Sequence, residues 1–184
     1  GSFFATQQFQ VDLTANKTEK KTFQEFLDQF EASELPFALD HTDLIPENDP
    51  YNWETAETFT TPEITIEYAA YFPHVERRRF SRMGPDTYFF EKKLVETEKF
   101  IVLLYSQSRP MTTMKESYTI ATYTKDGKII DELHFASAFG LEEIAMASID
   151  ENLEITRTDA TVNWKEDPYS IALTENEITD IELE

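Results

Sequence analysis

The chain has 184 residues, of which 40% are apolar and 14% aromatic, with 15 Phe, 8 Tyr, no Cys and a formal net charge of −20. That length suits one domain with its own core, and the aromatic content excludes a disordered chain. The missing cysteine excludes disulfides, thiolate metal sites and thiol catalysis, and the negative charge disfavours phosphate backbones and anionic membrane surfaces.

The charge is unevenly spread. Residues 1–76 carry a net −12, residues 77–128 a net +5 and residues 129–184 a net −13. No stretch approaches the roughly 20 apolar residues of a membrane helix, and the longest apolar run, Phe100–Tyr105, reads as a buried strand.

Residues 1–21 form a polar N-terminal arm, and the chain opens on Gly1 rather than Met. That opening leaves room for a native targeting segment upstream. Thr22 and Glu25 then have the spacing of a capping box. Phe23, Phe26, Leu27 and Phe30 follow at helical spacing, which predicts a short helix with one aromatic face.

From Glu34 to Pro62 four prolines break the chain. Within this stretch Tyr51 and Trp53 form a candidate aromatic platform for a ligand. Asp40, His41 and Asp43 form a D-H-x-D cluster that lacks the second ligand group a metal site needs. No metal or cofactor is expected.

Ile64, Ile66 and Tyr68 alternate with polar residues, which predicts a strand. The next segment, Glu76–Arg82, concentrates Arg77, Arg78, Arg79 and Arg82. As an extended segment it would bind carboxylates bidentately. It reads first as an internal counter-charge to the acidic flanks, and second as a patch for a small anionic ligand or a protein partner. Nucleic acid is not expected, because the whole chain is strongly acidic.

Strands follow over 87–95 and 99–107, and then a hairpin over 117–138 turning at Asp126-Gly127. Its register pairs Tyr118 with Phe135, Ile120 with Leu133 and Thr124 with Ile129 on a buried face. Ala121–Glu132 and Thr119–His134 fall on a polar face. Two further hairpins are expected. One turns at Asp150–Asn152 and sets Ala147 against Ile155. The other turns at Glu175–Glu177 and sets Ile171 against Ile181. These elements predict an α+β domain over 22–184, with one short helix on a mainly antiparallel, meander-rich sheet.

The order of four features resembles a set of uncharacterised exported or lipid-anchored proteins of Bacteroidetes. They are the helix "FQEFLDQF" followed by Leu35-Pro36-Phe37, the strand "FIVLLY", the strand-turn-strand "TYTKDGKIIDEL" and the element "ASIDENLEI". That resemblance implies export to the periplasm or outer membrane, a lipid anchor upstream of residue 1, and no known activity.

The sequence holds no recognisable nucleophile motif, phosphate loop or metal motif. The expected function is therefore a non-enzymatic cell-envelope domain that binds through its loops or a sheet face. The alternative is an acidic, cytoplasmic immunity or inhibitor protein that caps a basic effector by charge complementarity.

Overall fold

The computed structural model describes residues 20–52, 54, 56, 58–78 and 80–184. Trp53, Arg79 and nearly all of the expected N-terminal arm lie outside the described residues.

Helix α1 (Phe23–Asp28) starts where the capping box predicts. The Glu25 N–H donates to Thr22 Oγ1 at 3.1 Å and the Thr22 N–H donates to Glu25 Oε2 at 2.7 Å. Strands β1 (Glu31–Ala32) and β2 (Phe37–Leu39) follow, and then helix α2 (His41–Leu44). The Asp40–Asp43 cluster is the cap of α2. Asp40 Oδ1 accepts from the Thr42 N–H and Asp43 Oδ2 accepts from the Asp40 N–H, each at 2.9 Å. These carboxylates are committed to backbone, which accounts for the D-H-x-D pattern without a metal.

Two 3₁₀ turns, Ile66–Tyr68 and Pro73–Glu76, lead to a small hairpin of β3 (Phe80–Ser81) and β4 (Gly84–Pro85). The remaining strands are β5 (Thr87–Glu96), β6 (Phe100–Ser108), β7 (Ser117–Thr124), β8 (Ile129–Ala138), β9 (Glu143–Ile149), β10 (Ile155–Trp164) and β11 (Ile178–Leu183). Nine strands make one sheet in the order β1-β5-β6-β7-β8-β9-β10-β11, with β2 attached to β9. Only β1 runs parallel to its neighbour.

The sheet opens in the middle. β8 pairs with β9 only at Ser137–Ala145 and Ala138–Ile144. Past that point β2 takes the same edge of β9, with Phe37 opposite Ile149 and Leu39 opposite Ala147.

The α+β expectation is overturned. The structure is 43% strand and 12% helical, with two short helices and a dominant sheet. Helix α1 has six residues, too few to form a layer of its own, so it acts as an aromatic plug on one face. The alternation along β6 builds a core on each side of it. Ile101, Leu103 and Tyr105 join Phe26, Leu27, Phe30, Phe72 and Phe90 on the α1 side. Val102 and Leu104 join Ile120, Phe135, Leu141, Ile144 and Val162 on the other.

Four local expectations are also corrected. Residues 64–68 are not a strand. Ile64, Tyr68, Phe72 and Val75 are buried at i, i+4, i+8 and i+11, so the chain coils over the sheet, and Ile66 is exposed.

The hairpin of β7 and β8 keeps its central register, Thr119–His134, Ile120–Leu133 and Ala121–Glu132, but two bulges change its ends. Tyr118 faces Ala136 and Tyr123 faces Ile129. Its loop has three residues, closed by Thr124 N–H donating to the Lys128 carbonyl at 2.8 Å. Gly127 has φ +93° there, and a Cβ would come within 2.8 Å of the Tyr71 ring and 2.9 Å of Phe23. Leu133 is 50% exposed, because it lies on the stretch of β8 that β9 does not reach. The face expected to be polar carries buried Ala121 and Tyr123 under α1.

The β9–β10 loop runs over Asp150–Glu154, with Leu153 at φ +65°, so Ile155 faces Ile149 instead of Ala147. Finally, β11 pairs with β10 rather than with residues near Ile171. Asp167-Pro168 falls in that segment, and proline has no N–H for a ladder.

Candidate functional site

At one end of the sheet, four connections enclose a cleft of about 560 Å³. The β6–β7 connection supplies Arg109, Met111, Met114 and Glu116, the β8–β9 turn supplies Phe139 and Gly140, and Tyr51 and Tyr169 come from the long loops before β3 and after β10.

Each wall is fixed by local bonding. Buried Ser108 donates from Oγ to the Met114 carbonyl at 3.0 Å, folding the β6–β7 connection onto itself. The Thr113 N–H donates to the Pro50 carbonyl at 3.0 Å and so moors the Tyr51 loop alongside. The β8–β9 turn closes through Phe139 N–H to the Glu143 carbonyl at 2.9 Å.

Tyr169 is held at both ends. Its N–H donates to Asp167 Oδ1 at 3.0 Å, and its hydroxyl accepts from the Leu141 N–H at 3.0 Å. That hydroxyl lies over Gly140, at φ +92°, where a Cβ would sit only 2.6 Å away. Trp164 braces the same turn from Nε1 to the Leu141 carbonyl at 2.8 Å.

The result is a hydrogen-bonded frame with apolar side chains in solvent. Tyr51 is 46% exposed, Met111 45%, Phe139 58% and Tyr169 53%. The Tyr51 and Tyr169 rings are 6.3 Å apart and tilted by 40°. The principal charges of the cleft cancel, with Arg109 Nε at 2.5 Å from Glu116 Oε2. Burial, with Tyr169, Asp49 and Glu116 nearby, raises the Tyr51 phenol above its ordinary value, and Arg109 opposes the shift.

Of the sequence candidates, Tyr51 lines this cleft and Trp53 lies outside the described residues. Arg77, Arg78 and Arg82 do not line the cleft, and Arg79 lies outside the described residues. Arg77 ends the Pro73–Glu76 turn and is exposed, Arg78 is half-buried, and Arg82 is exposed in the β3–β4 hairpin. The segment is thus a turn followed by a hairpin, not one extended strand. Among the described residues, no ion pair involves Arg77 or Arg82.

A second polar cluster escaped the sequence reading. His74 Nε2 lies 2.8 and 3.0 Å from the two oxygens of Glu132, and the Tyr105 hydroxyl donates to Glu132 Oε1 at 2.9 Å. The His74 hydrogen bond, aided by that of Tyr105, holds the Glu132 carboxyl below its usual range against the effect of burial. Burial and then the Glu132 charge push the Tyr105 phenol upward. Phe72 meets the His74 ring edge-on at 4.9 Å. This cluster ties the Pro73–Glu76 turn to β8.

A third cluster joins the loop before β3 to the sheet. Lys115 Nζ is 2.5 Å from Glu91 Oε1 and donates to Thr61 Oγ1 at 2.6 Å. Ser106 donates to the same Glu91 oxygen, also at 2.6 Å. In both clusters the polar groups satisfy one another, as buried polar groups must.

Among the described residues, no helix is long and apolar enough to cross a membrane, and no His, Cys, Asp and Glu side chains group as metal ligands. No family model, curated protein or solved structure matches the chain.

Proposed function

We propose that the chain is a non-enzymatic binding module whose ligand lodges an apolar group among Tyr51, Met111, Phe139 and Tyr169. One observation carries this reading: four large apolar side chains stand half-exposed around a single preformed cleft. Exposed apolar side chains that converge on a concavity mark binding surfaces, whereas scattered ones are ordinary. The cleft volume lies within the usual range for small-molecule sites, about 300–1,000 Å³.

Binding is favoured over catalysis by the state of the polar groups. Arg109 is engaged by Glu116, and the Tyr169 hydroxyl accepts from backbone. The resemblance to exported Bacteroidetes proteins supports work in the cell envelope.

Titration with Nile red, a neutral apolar dye, tests the reading. Saturable fluorescence enhancement is expected, weakened by Phe139→Ser and by Met111→Ser and unchanged by Arg77→Gln. Enhancement that ignores Phe139→Ser, or none at all, overturns it.

A further inference from the structure

Phe139 and Tyr169 line two openings, not one. On their far side lies a second hollow of about 540 Å³, walled by the β8–β9 turn and by residues 161–168. Glu142, Glu143, Glu166 and Asp167 line it, against one cation, Lys165. That lysine already faces Glu177 at 3.7 Å. Asp167 turns its oxygens back to the Tyr169 N–H and the Ser170 hydroxyl, at 3.0 and 2.9 Å. Glu142, Glu143 and Glu166 remain as exposed carboxylates along the groove.

The aromatic cleft and the acidic hollow therefore form one run, with Phe139 and Tyr169 at its waist. Each opening alone fills the range of a small-molecule site, so a ligand that spans both is a chain rather than a compact molecule. Its charge is dictated by the walls. An anion would have to take Arg109 from Glu116 and then pass three carboxylates. A cation meets carboxylates at one end and aromatic ring faces at the waist, which attract ammonium and guanidinium groups. The net charge of −20 steers a cation toward the protein from a distance.

We propose that the ligand is an extended cationic peptide segment. An apolar side chain of that segment sits among Tyr51, Met111, Phe139 and Tyr169, and adjacent lysine or arginine side chains reach Glu142, Glu143 and Glu166. This inference rests on the binding role proposed above for the same cleft.

Calorimetric titration with three acetylated, amidated peptides tests it: tryptophan followed by three lysines, by three serines, or by three glutamates. The trilysine peptide should bind about tenfold or more tightly than the triserine peptide, with the triglutamate peptide weakest. The triple variant Glu142→Gln/Glu143→Gln/Glu166→Gln should bring trilysine to the triserine level and leave triserine unchanged. Phe139→Ser should weaken both.

Glu98→Gln/Glu151→Gln/Glu154→Gln, at exposed positions in the β5–β6 and β9–β10 turns at the opposite end of the sheet, should change nothing. If that remote variant weakens trilysine as much as the groove variant does, attraction is diffuse and the proposal fails. Equal binding of all three peptides overturns it as well. If no peptide binds while Nile red still does, the cationic ligand is wrong and the binding role stands. If neither binds, both are wrong.

Discussion

Two groups of aromatic side chains in this protein behave in opposite ways. Under α1, Phe26 is fully buried and has the rings of Phe30, Tyr68, Tyr71, Phe90 and Tyr123 within 5.3–5.8 Å. The polar tips are satisfied there too, as when the Tyr123 hydroxyl donates to the Tyr71 carbonyl at 2.8 Å. At the far end of the sheet, Tyr51, Phe139 and Tyr169 stand half in water around an open cleft. Folding accounts for the first group, because apolar area leaves water and ring edges meet ring faces. It does not account for the second, whose rings are held in place by backbone hydrogen bonds but left uncovered. The contrast separates rings that build the fold from rings that serve it.

The sharpest break of this comparison is to truncate one ring of each kind. Phe26→Ala should destabilise by about 3–5 kcal/mol, as large-to-small core changes do. Phe139→Ala should stay within about 0.5 kcal/mol, as exposed positions do. Denaturant unfolding of both variants decides it, and equal losses would mean the cleft is a second core.

Next in size is the β7–β8 pair. Ile120→Ala should cost about 2–5 kcal/mol, but Leu133→Ala under about 1 kcal/mol, although the two residues face each other. A similar loss at both positions would show that Leu133 is covered in solution.

Gly140→Ala should cost about 1–2 kcal/mol, because φ is +92° and the new Cβ meets the Tyr169 hydroxyl. It should also displace Tyr169 and weaken Nile red binding. A stability loss without a binding loss would uncouple that ring from the cleft.

The smallest effect is on pH dependence, and it lies outside both ring groups. Burial and then the charge of Arg157 push the His134 imidazole below its ordinary value, and its Nε2 is buried without a hydrogen-bond partner. A depressed histidine favours its neutral form in the fold. Its contribution is present above the unfolded value, about pH 6.5, and is lost as pH falls through that range. Glu132 adds a second loss at lower pH, below the ordinary glutamate value of about 4.3. His134→Gln should flatten the unfolding midpoint between pH 7.5 and 5.5, and Glu132→Gln should flatten it only nearer pH 4. A midpoint that falls just as steeply between pH 7.5 and 5.5 in His134→Gln would remove that histidine from the acid response.

Local chemistry was legible from sequence wherever it decides the structure. The Thr22–Glu25 cap, the buried run at Ile101–Tyr105 and the centre of the hairpin over 117–138 all rest on neighbours within a few residues. The coil over Ile64–Val75 was hidden because its first three apolar residues also alternate. Only Phe72 and Val75, further on, disclose the helical spacing.

Leu133 shows a different limit. Its pairing follows from the turn, but its exposure follows from where β9 departs, which no local pattern encodes. The cleft was the least legible part. Tyr51 was singled out, yet Met111, Phe139 and Tyr169 sit on three other connections, and no spacing links them. The arginine segment drew attention by its charge alone, and charge density does not say what a side chain faces.

The strand swap at the sheet's opening bears on how the molecule assembles in time. β2 closes the edge of β9 through Phe37–Ile149, a pairing that spans more than a hundred residues. Synthesis at about 5–20 residues per second leaves β2 without its partner for roughly 5–20 s after it emerges. The α1 face is delayed less, because Phe26 and Phe30 meet Phe90 well before β9 exists. The aromatic half can therefore form on a nascent chain, while the edge that β2 will cover stays unmade until near the end. Contacts this distant in sequence slow folding. One of the earliest strands of this sheet thus waits for β9, and only β10 and β11 are added from later in the chain.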